Sequence, residues 1–350
     1  MSTTPASAGA VPPPPAGGAT IATIAREVGV SVPTVSKVLN GRSDVAAGTR
    51  ERVEAALERH QYRRRRAAPA RKAGGLIDLV FHRLGSGWSM EIIRGVEVEA
   101  GAQRTSVILS ELGGEHRPPQ DWLDTTMTRP PLGVVLVAAN LTEAQHQQLD
   151  RRSIPYVVVD TDGEPPADVP SVGSDNWNGG LLATRHLIGL GHRRIACISG
   201  PTDMLCSRAR LDGFRSAHDE AGIAHDPALV AHGNFYVEAG YKHALRMLSA
   251  PDRPTAIFAG SDMQAMGILR AAQELGLSVP RDLSVVGYDD LPLASWMSPP
   301  LTTVRQPLME MGAAATRMLF EMAAGGAPAV PRLNLATDLI VRESTAPPPA

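Results

Sequence analysis

The sequence predicts an α/β protein in two parts: a small all-helical module, then a large two-lobed domain of parallel, doubly wound sheets. Three observations predict it. Charge is split along the 350-residue chain: residues 20–75 carry twelve Lys/Arg against five Asp/Glu, a balance of +7, and the remainder carries −9, so the overall −2 averages two unlike parts. Apolar residues recur at helical spacing up to about residue 60. From residue 76 onward short β-rich runs alternate with helical stretches, which is the pattern of βαβ units.

Residues 1–19 hold no charged side chain but five Pro, five Ala and three Gly. Such a segment cannot bury enough apolar area to offset its ordering entropy, so a disordered tail is expected. It has neither the basic start nor the apolar centre of a secretory signal. No run of about 18 apolar residues exists to span a bilayer, and a cytoplasmic protein is expected. Two cysteines, Cys197 and Cys206, exclude a disulfide scaffold and a multi-cysteine metal site.

Ile21, Ile24, Ala25 and Val28 follow the i, i+3, i+4, i+7 rule for a first helix starting after Thr20. Gly29 stops it, because glycine accepts the left-handed backbone a tight helix-to-helix turn needs. Val30 is expected to plug the core behind that turn. Ser31 is a good N-cap for a second helix over 32–40, with Pro33 tolerated in its first turn. Val35, Val38 and Leu39 give it a buried side. A third helix is expected over about 49–60, with Thr49 as its cap and Val53, Ala56 and Leu57 inward.

A helix that reads DNA must be short, capped and exposed on one face, with its first residues able to reach base edges. Val32, Pro33 and Lys37 fall on that outer face. Lys37 can donate to guanine; Val32 and Pro33 offer apolar contact, for example to a thymine methyl. Ser31, Thr34, Ser36 and Asn40 are short hydroxyl or amide groups suited to phosphate oxygens. Spacing alone leaves a plain three-helix packing domain open.

The run from Thr20 to Tyr62, TIATIAREVGVSVPTVSKVLNGRSDVAAGTRERVEAALERHQY, resembles without a gap the DNA-binding headpiece of the lactose-repressor (LacI/GalR) family. The resemblance implies base contacts by Val32, Pro33 and Lys37. It implies backbone contacts by Thr20, Ser31, Thr34, Ser36, Asn40 and Thr49. Family members follow the headpiece with a Pro-Asn pair and a hinge helix that places a Leu in the minor groove. Here Arg64 and Arg65 replace the pair, Ala68 keeps the small residue, Pro69 interrupts, and Arg71 stands at the Leu position. An Arg enters a narrow minor groove electrostatically but is no apolar wedge. The run Arg63–Arg66 with Arg71 is therefore expected to supply phosphate and minor-groove charge; a solvated linker is the alternative.

In the large domain, strands are expected at about 76–81, 105–109, 133–137, 155–160, 194–198, 229–232, 255–260 and 283–288. Too many units follow one another for one comfortable sheet, so two lobes with a cleft between them are expected. Ligands on such sheets bind beyond the carboxyl ends of the strands. His82, Asp160, Phe235, Ser261 and Asp289 stand there, with Trp88 close behind. An aromatic ring stacks on the C–H face of a sugar, while Asp and Arg bind hydroxyls. Each residue alone is equally consistent with packing or helix capping.

Segments such as HLIGLGHRRIACISGP, SRARLDGF, AIFAGSDMQAMGIL and SVVGYDDLPLASW are similar to the effector core of the same family, itself like periplasmic sugar-binding proteins. The resemblance implies effector contacts by Arg210, Asp289 and Phe235, then Trp88, His82, Ser261, Asp160 and Gln306. It implies three interlobe crossings, near 174, 304 and 335. The expected organisation is a tail 1–19, a helix-turn-helix headpiece 20–63, a hinge 64–75 and an effector and dimerisation domain 76–345. Its N-lobe would hold 76–174 and 305–335, its C-lobe 175–304 and 336–345.

No G-x-G-x-x-G follows the first strand, and no G-x-x-x-x-G-K-[ST], G-x-S-x-G or H-E-x-x-H occurs. His192 is expected to be structural, and Cys206 a plain buried thiol. No enzyme chemistry, cofactor or metal is expected. The expected function is a sequence-specific repressor of carbohydrate genes. It would pair as a homodimer on a pseudo-palindromic stretch of double-stranded operator DNA, and a small sugar would release it. Corepressor logic, a sugar receptor without DNA function and an enzyme on the same fold are the alternatives. Met204 and Cys206 stand where a nucleobase would need polar partners, which favours a sugar.

Overall fold

The computed structural model describes residues 20–39, 45–60, 62, 75–113, 117–160, 166–224 and 226–349. The chain divides into two compact units, one built on the N-terminal helices, with which Gln147–Ser153 is grouped, and one holding the sheets.

The small unit has three helices, α1 (Ile21–Val28), α2 (Val32–Leu39) and α3 (Ala47–Arg59). Thr20 caps α1 by accepting from the Thr23 N–H, and Gly29 ends it at φ +72°, where a side chain would be strained. Ser31 Oγ accepts from the Thr34 N–H at 3.2 Å and so caps α2. Ile24, Ala25, Val35, Val38, Leu39, Val45, Val53, Ala56 and Leu57 form the core, with Val30 packed against it. Thr49 is not the cap of α3. The helix starts two residues earlier, where Ala46 is extended and its carbonyl takes the Thr49 and Arg50 N–H groups. Buried Val45 anchors the chain one residue before that start.

The large unit runs β1 (Leu76–Phe81), α4 (Gly87–Ala102), β2 (Ser106–Glu111), α5 (Gln120–Thr128), β3 (Gly133–Val137), α6 (Glu143–Arg151), β4 (Tyr156–Val159) and β5 (Ser171–Ser174). It continues with α7 (Asn176–Gly189), β6 (Ile195–Ser199), α8 (Leu205–Glu220), β7 (Val230–His232), α9 (Val237–Leu248), β8 (Ala256–Ala259), α10 (Asp262–Glu274) and β9 (Ser284–Asp289). It closes with β10 (Thr302–Arg305), α11 (Leu308–Ala323), β11 (Arg332–Leu335) and β12 (Asp338–Ile340).

Two six-stranded sheets result, β2-β1-β3-β4-β5-β11 and β7-β6-β8-β9-β10-β12. The first defines the N-lobe and the second the C-lobe. Every pairing is parallel except β10 with β12. Strands such as β3 and β6 are buried along their whole length, which is why they read as unbroken apolar runs. The chain passes between the sheets after β5, after β10 and between β11 and β12. Helix α11, which follows the second passage, returns to pack on α4 in the N-lobe core.

Helices α7 and α8 cross at Gly180 and Gly213. A Cβ on Gly180 would lie 2.1 Å from the Arg210 carbonyl oxygen, and one on Gly213 2.1 Å from that of Trp177. This close approach seats α8, and with it Arg210, against the C-lobe sheet.

Candidate functional site

A cavity of about 230 Å³ lies between the lobes at the carboxyl ends of β1, β3 and β4 on one side and β6, β8 and β9 on the other. These ends flank the points where strand order reverses in each sheet, the place where open parallel sheets bind ligands. His82, Trp88, Asp160, Arg210, Phe235, Ser261 and Asp289 all line it.

The cavity wall is backbone-strained. Ala138, Asp160, Phe235 and Asp289, each at or just beyond a strand end, have φ of +50°, +53°, +67° and +112°. Non-glycine residues occupy this region at a cost of about 1–3 kcal/mol each, and such costs cluster at ligand sites.

Arg210 forms the floor. Its Nε donates to Asn176 Oδ1 at 2.8 Å and its Nη1 to the Gly260 carbonyl at 2.6 Å. The guanidinium lies 3.7 Å over the Tyr288 ring and 5.3 Å from the centre of Phe235. Fork-shaped donors remain for a ligand in the cavity. Asp289 Oδ1 stands 4.0 Å from Nη1 and accepts from Gln306 Nε2 at 2.7 Å. Burial pushes the Asp289 carboxyl up to about 7, with Arg210 and Gln306 opposing. Burial also raises Asp160, again opposed by Arg210, and raises Asp262, which neighbours Asp289 and is held by Thr303 and the Leu291 N–H. One guanidinium thus sits with two buried carboxyls, Asp289 in its own lobe 4.0 Å away and Asp160 in the other lobe.

Trp88 and Phe235 join Ala138, Met204 and Cys206 in an apolar wall. Ser261 Oγ donates to the Phe235 carbonyl at 2.8 Å while capping α10, so it fixes the aromatic's loop. Cys206 is a buried thiol, as expected, yet it also lines the cavity; burial pushes it up to about 12.

Gln306 was expected among the ligand contacts, but it does not line the cavity. Its amide is consumed between Asp289 and Ser174 Oγ, which donates to Gln306 Oε1 at 2.6 Å. Sequence reasoning missed Arg83 and Tyr236, which meet across the cleft with the guanidinium 5.5 Å from the ring centre. It missed Asn176 too, although that residue directly follows the first expected crossing.

On the headpiece, Val35, Val38 and Leu39 of α2 point inward, while Val32, Pro33 and Lys37 are exposed. Val32 keeps 46% of its surface in solvent. The Ser31 and Thr34 hydroxyls bond each other at 2.8 Å, and those of Thr20 and Thr23 at 2.9 Å. Ser36 is half-buried on the same helix, and Thr49 half-buried in the first turn of α3. Asn40, Arg64, Arg65, Ala68 and Arg71 lie outside the described residues.

A helix-turn-helix unit in one chain with a two-lobed domain that holds an interlobe pocket defines an effector-controlled DNA-binding protein. Residues 20–65 match the bacterial regulatory proteins of the lacI family, and residues 184–345 match the periplasmic binding protein-like domain. The chain is 34% identical over 306 residues to the HTH-type transcriptional repressor PurR of Vibrio atlanticus (strain LGP32), covering 87% of this chain and 91% of that one. It resembles the transcriptional regulator CelR in its cellobiose complex, with TM-score 0.71, 34% identity, and 93% and 99% of the two chains covered. It also resembles the lac repressor dimer bound to operator and the anti-inducer ONPF, with TM-score 0.68, 28% identity, and 94% and 100% covered. The chain belongs to the lacI family of bacterial regulatory proteins. It is a DNA-binding transcriptional repressor regulated by a small effector. No helix among the described residues is long and apolar enough to cross a membrane.

Proposed function

We propose that this repressor answers to a small neutral sugar, and that the sugar releases it from a pseudo-palindromic operator bound by a homodimer in the cytoplasm. The observation that carries the reading is the Arg210–Asp289 pair, 4.0 Å apart and buried, beneath an apolar wall with Trp88 and Phe235. A fork of donors beside an acceptor matches vicinal hydroxyls, and the rings match the C–H face of the same sugar. The cavity exceeds the ~150 Å³ that admits a benzene ring, which leaves room for a six-membered ring with substituents. The cellobiose bound by the similar CelR supports the same ligand class. Val32, Pro33 and Lys37 would read bases, and Thr20, Ser31, Thr34, Ser36, Asn40 and Thr49 would hold the phosphate backbone. The Arg64, Arg65, Ala68 and Arg71 segment would add minor-groove charge. The pocket binds in order to switch, so the chain acts as a regulator rather than an enzyme.

The test is fluorescence anisotropy of a labelled duplex from the promoter region of the protein's own gene, at fixed salt, with D-ribose, D-glucose or cellobiose added. One sugar is expected to weaken operator binding at least tenfold. A sugar that strengthens it reverses the logic to corepression; no response to any overturns the sugar reading.

A further inference from the structure

Three peptide crossings join the lobes, and one dipeptide ties all three. The Asp175 N–H donates to the Leu335 carbonyl at 2.8 Å, and Thr337 Oγ1 donates to the Asp175 carbonyl at 3.2 Å, which fastens the first crossing to the third. Ser174 Oγ donates to Gln306 Oε1 at 2.6 Å, which fastens the first to the second.

The same residue holds both ligand-gripping groups. From the Ser174 side chain the path runs through the Gln306 amide to Asp289 Oδ1 at 2.7 Å. From the Ser174 carbonyl it runs through Asn176, whose Nδ2 donates at 3.0 Å and whose Oδ1 accepts from Arg210 Nε at 2.8 Å. Ser174, Asn176, Gln306, Arg210 and Asp289 are all buried, so water cannot replace a bond that lengthens. The direction of the path is set by chemistry. With Asp289 ionised, the amide turns its NH2 to the carboxylate and its oxygen to Ser174.

We propose that Ser174 is the residue through which occupancy of the pocket reaches the N-lobe, with Gln306 and Asn176 as positioning residues that carry it from Asp289 and Arg210. Ser174 ends β5 of the N-lobe, whereas Arg210 and Asp289 belong to C-lobe elements. A ligand that draws Arg210 and Asp289 onto a hydroxyl pair pulls both tethers at once. The two lobe arrangements then differ in these bonds, which is what a ligand needs in order to shift their balance. This rests on the sugar reading above.

The experiment uses the full chain and whichever of D-ribose, D-glucose or cellobiose shifts the parent's operator affinity. Coupling is the ratio of operator Kd with saturating sugar to Kd without it; allosteric couplings in general run about 5–150-fold. Ser174→Ala cuts the Gln306 tether and keeps the carbonyl tether to Asn176, so it is expected to keep each separate affinity within about threefold while coupling falls at least threefold without reaching one. Ser174→Thr, which retains the hydroxyl, is expected to keep parental coupling. Asn176→Asp keeps an acceptor for Arg210 but removes the donor to Ser174, and its coupling is expected to fall as well; it decides the matter if Ser174→Ala does not fold. Undiminished coupling in Ser174→Ala, or in Asn176→Asp where the other is unfolded, overturns the proposal, as does lost coupling in Ser174→Thr. A parent chain that answers to no sugar overturns the functional reading first, and this proposal with it.

Discussion

The Phe235 ring rests directly on the backbone of Gly200: a Cβ built on Gly200 would lie 2.0 Å from the ring's Cζ. Gly200 follows β6, and its missing side chain is what lets the aromatic close the cavity wall. Gly200→Ala must push the ring aside. The stacking lost is worth about 0.5–1.5 kcal/mol, so calorimetry should show effector affinity down by up to about tenfold. Operator binding without effector should be unchanged. Unaltered effector affinity would remove Phe235 from the ligand contacts.

Arg210 answers a different question, that of fork against point charge. Lysine keeps the charge but cannot bond Asn176 and Gly260 while lying over Tyr288. Arg210→Lys should weaken effector binding by about 1.5–3 kcal/mol, the range for charged hydrogen bonds. Arg210→Ala removes the counter-charge of Asp160 and Asp289, and should also lower folding stability, more at pH 8 than at pH 6. Calorimetry and denaturant melts separate the two. An Arg210→Lys protein that binds with parental affinity would place the ligand elsewhere.

The pH dependence has opposite signs for binding and for stability. Burial holds Asp289 at about 7, so ligand-free protein carries it part protonated near neutrality. A sugar hydroxyl donating to the carboxylate favours ionisation, so effector affinity should rise from pH 6 to pH 8, by no more than tenfold per unit, and level off above 7. The folded value lies above the unfolded one of about 3.9. The associated stability is therefore fully present below that unfolded value and lost as pH rises through 7. Asp160 and Asp262, also raised by burial, act in the same sense. The ligand-free Tm should fall between pH 5 and pH 8, and Asp289→Asn should flatten the affinity trend and lessen the fall in Tm, leaving the part due to Asp160 and Asp262. A flat affinity profile for the parent would show that Asp289 does not accept from the ligand.

The legible part of the pocket is the part that chain direction dictates. Asp160, Phe235, Ser261 and Asp289 were readable because parallel sheets place ligands beyond strand ends, and each strand before them is marked by an apolar or β-branched run. Strands β5, β11 and β12 were not, because SVGS, RLNL and DLI carry no such run, and the β-branched run of β10, TTVR, is too short to stand out. Their pairing is settled by neighbours distant in sequence. Gln306 stands off the cavity lining for a related reason: it follows β10 at a strand end, but its amide is taken by Asp289 and by Ser174, a residue 132 positions away. The Arg83–Tyr236 contact across the cleft has no local signal at all. The headpiece was more legible, since its core and caps are local; only the start of α3 moved, to the extended Ala46.

Ser31 and Lys37 separate holding the reading helix from using it. Ser31 Oγ caps α2, so Ser31→Ala should cost about 1 kcal/mol of headpiece stability, read as faster hydrogen exchange at the Thr34 amide that the cap protects. Lys37 lies past the first turn of α2, exposed and outside the buried set. Lys37→Ala should leave that exchange unchanged. It should weaken operator binding by about 1–3 kcal/mol and relax preference at one base pair in each half-site. The alternative, a phosphate contact, predicts a uniform loss across sequences and a salt slope reduced by about one. Anisotropy against a set of singly substituted duplexes at two salt concentrations distinguishes them. Equal loss on every duplex would move Lys37 from reading bases to holding the backbone, and leave the apolar Val32 and Pro33 as the base-reading surface of α2.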